Sequence, residues 1–218
     1  MIPVAMAPEP AAFDKQIRKP GLLAIAEMVG EKPGRSKGRP FSKVCDRREE
    51  IPSVKFPPYW TNCLDDLMRA YREVCSYSCF RIHPVTGARS ADHCLPKSRR
   101  WDLAYEWSNY RLACSLMNSR KGILEDVLDP FEIESETFVL ELVFFTVRPN
   151  PILPRKIQRQ ADSTIETLRL NESVLTRRRG HDAEQYWSGE VSLKVLLQES
   201  PFVAHELRRQ GRLRPDDI

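Results

Sequence analysis

The chain has 218 residues, of which 41% are hydrophobic and 29% charged, and its formal net charge is +4. That balance excludes a wholly disordered chain and supports a core without disulfide or metal staples, in one or two domains. The small positive excess suits a polyanionic partner without demanding one.

The six cysteines are Cys45, Cys63, Cys75, Cys79, Cys94 and Cys114. No basic segment followed by an apolar run opens the sequence, so they read as reduced thiols of a cytoplasmic protein. The longest apolar run, residues 138–147, is broken by Glu141 and falls short of the roughly 18 residues a membrane span needs.

Residues 1–58 contain Pro3, Pro8, Pro10, Pro20, Pro33, Pro40, Pro52, Pro57 and Pro58. This density predicts an extended arm with one short helix over 22–29. Lys32, Arg35, Lys37, Arg39 and Lys43 make part of the arm basic, as a solvated linker or as a phosphate-neutralising segment. Leu64, Leu67, Met68, Tyr71, Val74 and Cys75 recur at helical spacing, predicting an amphipathic helix over 61–77 capped by Thr61 or Asn62. Two short strands are expected between Cys79 and His93, followed by a long loop over 94–108 that Tyr105 and Trp107 anchor. A strand over 110–114 leads into a helix from Ser115 that Gly122 ends. The run 138–147 predicts one buried strand, and two helical regions follow Pro154, with Arg177-Arg178-Arg179-Gly180 as the basic turn between them. The expected fold class is α+β. Residues 1–58 form the arm, 59–130 the central unit and 131–218 a strand plus helices.

The chemistry concentrates in residues 90–122. Asp92 and His93 are adjacent, Asn109 and Asn118 follow, and Lys121 lies three residues after Asn118 on the same helix face. Hydrolysis of a phosphodiester needs a base for water, charge stabilisation for the leaving oxygen and a means of holding the phosphate. His93 suits the base. Asp92 and Asn118 offer hard oxygen ligands of the kind Mg2+ or Mn2+ prefers. Lys121 brings a positive charge towards the phosphate. Asn109 holds the loop and orients the His93 ring. Arg99, Arg100 and Arg120 are candidate contacts to nucleic acid, beside the equally simple reading of solvated arginines.

Over roughly residues 75–125 these positions resemble the HNH endonuclease superfamily, whose nuclease centre is a ββα-metal unit. Asp92-His93 resembles the family's Asp-His pair, Asn109 its central Asn, and Asn118 the last position of the H-N-N variant, with Lys121 three residues on. The resemblance implies Asp92 and Asn118 as metal ligands and His93 as general base. Asp-His-x-x-Pro-Lys-Ser followed by Ala-Tyr-Glu-Trp-Ser-Asn is similar to HNH proteins of bacterial anti-phage defence, of Septu and retron type. That implies nucleic acid as substrate, DNA ahead of RNA, with an ATPase or another defence subunit as a conceivable partner. The alternative is a non-cleaving nucleic-acid-binding or adaptor subunit. Many family members bind structural zinc through two Cys-x-x-Cys pairs. Here Cys114-Ser-Leu-Met117 lacks a ligand and Cys75-x-x-x-Cys79 has one residue too many, so no four-cysteine zinc site is expected.

Overall fold

The computed structural model describes residues 1–31 and 38–217. Lys32, Arg35 and Lys37 of the expected basic arm lie outside the described residues. The chain is α+β, with two separate two-stranded antiparallel sheets among helices.

The N-terminal region is packed against the rest of the molecule. Met1, Phe13, Ile17, Ile25, Met28, Ile51 and Phe56 are all buried in the same apolar cluster as the central strands. A π-helical turn, Asp14–Arg18, runs into α1, Lys19–Met28, with Pro20 in the first turn, where its missing N–H costs nothing. Gly21 lets α1 lie on the ring of Tyr105, since a Cβ there would come within 2.2 Å of it. Arg18 reaches from this region to Glu106, with Nε–Oε1 at 3.0 Å.

The predicted helix over 61–77 is shorter in the structure. A 3-10 turn, Tyr59–Cys63, leads into α2, Leu64–Ala70, and Arg72 and Glu73 then adopt positive φ and end it. Neither Thr61 nor Asn62 caps it; Cys63 stands at the N-cap, with no side-chain cap bond. Its apolar positions are still used, as Leu67, Met68, Tyr71 and Cys75 are all buried. Of the two strands expected before His93 one forms: β1, Arg89–His93. The other shrinks to an isolated bridge between Val74 and Arg81.

β2, Tyr110–Cys114, pairs antiparallel with β1 in the register Ser90 with Ala113, Asp92 with Arg111 and His93 with Tyr110. α3, Ser115–Lys121, follows β2 directly and packs on both strands. Gly122, at φ +54, stops it where a side chain would strain the backbone.

The expected single strand over 138–147 is a hairpin of β3, Phe138–Glu141, and β4, Thr146–Pro149. The Glu141 carboxylate accepts hydrogen bonds from the backbone N–H of Val143 and Phe144, which turns the chain. α4, Arg155–Thr167, packs on β4, with Ala161, Thr164 and Ile165 buried. The run Arg177-Arg178-Arg179-Gly180 lies inside α5, Ser173–Trp187, instead of in a turn. Arg179 is buried there and donates to the carbonyls of Phe145 and Leu170. α6, Leu193–Glu199, and α7, Pro201–Arg209, complete the fold, and the buried Glu206 of α7 accepts the Leu140 N–H of β3 at 2.8 Å. Among the described residues no helix is long and apolar enough to cross a membrane.

Candidate functional site at the end of the first strand

Successive side chains of a strand face opposite ways, and the contacts of Asp92 and His93 follow that rule. Asp92 faces α3. Its carboxylate is 2% exposed, accepts the Tyr77 hydroxyl at 2.5 Å and lies 3.2 Å from the Lys121 ammonium. Burial raises the Asp92 pKa, against the pull of Lys121 and the Tyr77 hydrogen bond. The same burial, with the Asp92 charge beside it, pushes the Tyr77 hydroxyl well above its ordinary value.

Lys121 is turned inward, where the sequence pattern led us to expect a charge facing phosphate. Its ammonium donates to the carbonyls of His93 at 2.9 Å and Cys94 at 3.1 Å, as well as to Asp92. All three N–H donors are thereby used. Lys121 therefore ties the end of β1 to the last turn of α3.

Asn118, one turn earlier, is half-buried and donates from Nδ2 to Ser90 Oγ at 2.5 Å. Ser90 is two residues from Asp92 and so shares its face of β1. The bond orients the amide and leaves Oδ1 as its acceptor end. Asp92 and Asn118 thus meet the same face of β1, Asp92 from within the strand and Asn118 at Ser90.

His93 faces the other way, among aromatic rings. It meets Trp60 edge-on at 4.8 Å and Tyr110 at 5.1 Å. Its Nε2 lies 3.0 Å from the Ala104 carbonyl oxygen. A carbonyl can only accept, so Nε2 carries the proton and Nδ1 keeps a lone pair. Burial, and then the charge of Lys97, push the His93 pKa down to about 3. The ring is neutral with one tautomer fixed.

Asn109 is the clamp of the loop between the strands. Its Oδ1 accepts from Leu95 N at 2.8 Å, and its Nδ2 donates to the carbonyls of Leu95 and Leu103 at 3.0 and 3.1 Å. It reaches His93 only through this loop, since Ala104, next to Leu103, supplies the carbonyl that holds the ring. Tyr105 and Trp107 anchor the same loop by donating to Pro57 O and Ala7 O.

The three arginines expected at nucleic acid are all engaged by carboxylates. Arg99 lies 3.2 Å from Glu125, and Arg100 forms a two-pronged pair with Asp102. Arg120 points away from the site: it pairs with Glu172 and donates to the Leu168 carbonyl at 3.0 Å. Three participants escaped the sequence reading. Tyr77 left no signal. Trp60 lies 33 residues before His93. Lys97 stood in the Asp-His-x-x-Pro-Lys-Ser motif but received no role.

The donors fit a hard divalent cation by type. One carboxylate and one amide oxygen are ligands such an ion accepts, but both Asp92 oxygens are engaged, by Tyr77 and Lys121, so an ion would have to displace one of them. Among the described residues no group of three or more His, Cys, Asp or Glu is placed to hold a metal. The cysteines of the imperfect pairs are free thiols, with Cys75 and Cys79 buried and the Cys114 N–H donating to Cys75 Sγ at 3.3 Å.

No protein-family model matches the chain, and no curated protein sequence matches it.

Proposed function

We propose that the chain is a metal-dependent endonuclease of HNH type, with β1, β2 and α3 as its ββα unit and nucleic acid, DNA ahead of RNA, as its substrate. The observation that supports this best is the state of His93. A neutral imidazole of fixed tautomer, whose Nδ1 has no hydrogen-bond partner among the described residues, can take a proton from water as that water attacks phosphorus. A base held near pKa 3 is weak. The negative charge of a phosphate beside the ring raises its basicity when substrate arrives. Asn109 acts as a positioning residue, because it fixes the loop that carries the Ala104 carbonyl. Asp92 and Asn118 would hold one Mg2+ or Mn2+, which when bound supplies the charge that stabilises the departing 3′ oxygen. Lys121 sets the distance between the carboxylate and the end of the strand.

The test is plasmid nicking with Mg2+, with Mn2+ and with chelator. Metal-dependent nicking that His93→Ala abolishes is the expected result. Nicking unchanged in His93→Ala removes the base from the mechanism.

One observation favours the second reading, a nucleic-acid-binding or adaptor module without cleavage. The Lys121 ammonium already balances the only carboxylate of the set, which lowers the attraction for a further cation. Retained nucleic-acid binding with no nicking under any metal would decide for it. A defence role beside an ATPase subunit rests on the sequence resemblance alone; co-purification with the products of adjacent genes tests it.

A further inference from the structure

We propose that Lys97 is the phosphate-holding residue of this site, seating a backbone phosphate of the nucleic acid against the Trp60 and His93 rings. The proposal rests on the endonuclease or nucleic-acid-binding reading above and deepens it.

Among the cations around the site Lys97 stands apart. Arg99, Arg100 and Arg120 have carboxylate partners, and Lys121 is closed inside the fold by Asp92 and two carbonyls. Among the described residues Lys97 has no acidic partner and no hydrogen-bond acceptor. Its ammonium sits over the Trp60 ring, 4.0 Å from the centroid. The same Trp60 ring meets His93 edge-on at 4.8 Å, so one indole touches both the ammonium and the candidate base. Lys97 is half-buried, and burial lowers its pKa. A partly desolvated cation without a counter-ion is costly, and an aromatic face offsets only part of that cost. A bound anion would offset the rest.

The backbone beneath Lys97 is rigid, which makes the position a built one. Arg99 and Arg100 both donate their N–H to the Pro96 carbonyl, at 2.9 and 3.0 Å, closing a tight turn with Lys97 at its head. Asn109 clamps Leu95 immediately before it. The base of the side chain is therefore fixed, and the Trp60 face is what the ammonium rests on. A compact, strongly hydrated point charge of this kind is a common phosphate binder.

The experiment measures binding without cleavage. A fluorescein-labelled single strand and the matching duplex are titrated with the full chain in chelator, by anisotropy, across a range of NaCl concentrations. Lys97→Met, Lys97→Gln, Lys97→Arg and the control Arg99→Met are compared with wild type. Lys97→Met should weaken binding about tenfold or more at low salt. Its log K against log [salt] line should flatten by about 0.7–0.9, the signature of one lost phosphate contact. Lys97→Arg should keep the wild-type slope, and Arg99→Met should change it little. Circular dichroism melts monitor folding, and Lys97→Gln carries the comparison should Lys97→Met unfold. Wild-type slope and affinity in folded Lys97→Met or Lys97→Gln overturn the proposal even if the wild type nicks DNA. Lys97-dependent binding in a protein that never nicks overturns the endonuclease reading and leaves this proposal standing. A wild type that binds neither strand nor duplex overturns both.

Discussion

Removing the Lys121 ammonium leaves the Asp92 carboxylate buried with, among the described residues, only the Tyr77 hydroxyl to satisfy it. Breaking a buried pair from one side is expensive, so Lys121→Met should cost about 3–5 kcal/mol in urea unfolding. Asp92→Asn combined with Lys121→Met should recover most of that loss, and a double-mutant cycle that finds the two changes additive would refute the coupling. His93 makes a second prediction at this scale. Its folded pKa, about 3, lies below the ordinary 6.5, so between these values the unfolded chain binds a proton that the native one does not. Stability therefore falls as pH drops from 6.5 towards 3 and is unaffected by this group above 6.5. His93→Gln should show a shallower loss across that window by thermal melting, whatever its stability at neutral pH. In kcat/KM, which reports the free protein, a neutral His93 should likewise give no acid limb between pH 5 and 8.

At the scale of elements, Asn109 clamps the two ends of the loop between β1 and β2 from inside it, with three side-chain hydrogen bonds. Asn109→Ala strands buried backbone groups and should cost on the order of 3 kcal/mol, read as a lowered melting temperature together with lost nicking. β2 and α3 were legible in the sequence because an apolar run, a change of period and Gly122 all mark them. The hairpin of β3 and β4 was not. Its turn has no Gly, Pro or Asn and is made by the Glu141 side chain, with Phe145 at positive φ. Helix α2 stops early for a related reason: Arg72 and Glu73 take the left-handed conformation without a glycine to announce it. The site followed the same division. Local spacing put Asn118 and Lys121 one turn apart on α3, whereas the bond from Asn118 to Ser90 joins residues 28 apart. The inward turn of Lys121, the ring cage of His93 and the role of Tyr77 depend on contacts that spacing along the chain does not encode.

Considered as a whole, the molecule is built inward from its N-terminal region. The proline density of residues 1–58 suggested an extended arm, yet proline at a helix start and in turns is compatible with close packing. Phe13 meets Trp107 and Tyr110 edge-on, at 5.6 and 5.7 Å, and Trp107 donates to the Ala7 carbonyl at 2.8 Å. Deleting residues 1–28 should therefore abolish cooperative unfolding in calorimetry and not leave a trimmed nuclease core. A sharp transition in the truncated chain would show that the central unit stands alone.

The guanidinium of Arg120 joins the helix bearing Asn118 to the carbonyl of Leu168 and the carboxylate of Glu172, just ahead of α5. It works as a strut. A subunit docking on the C-terminal helices beside Glu172 would therefore bear on Arg120, two residues from the candidate ligand amide.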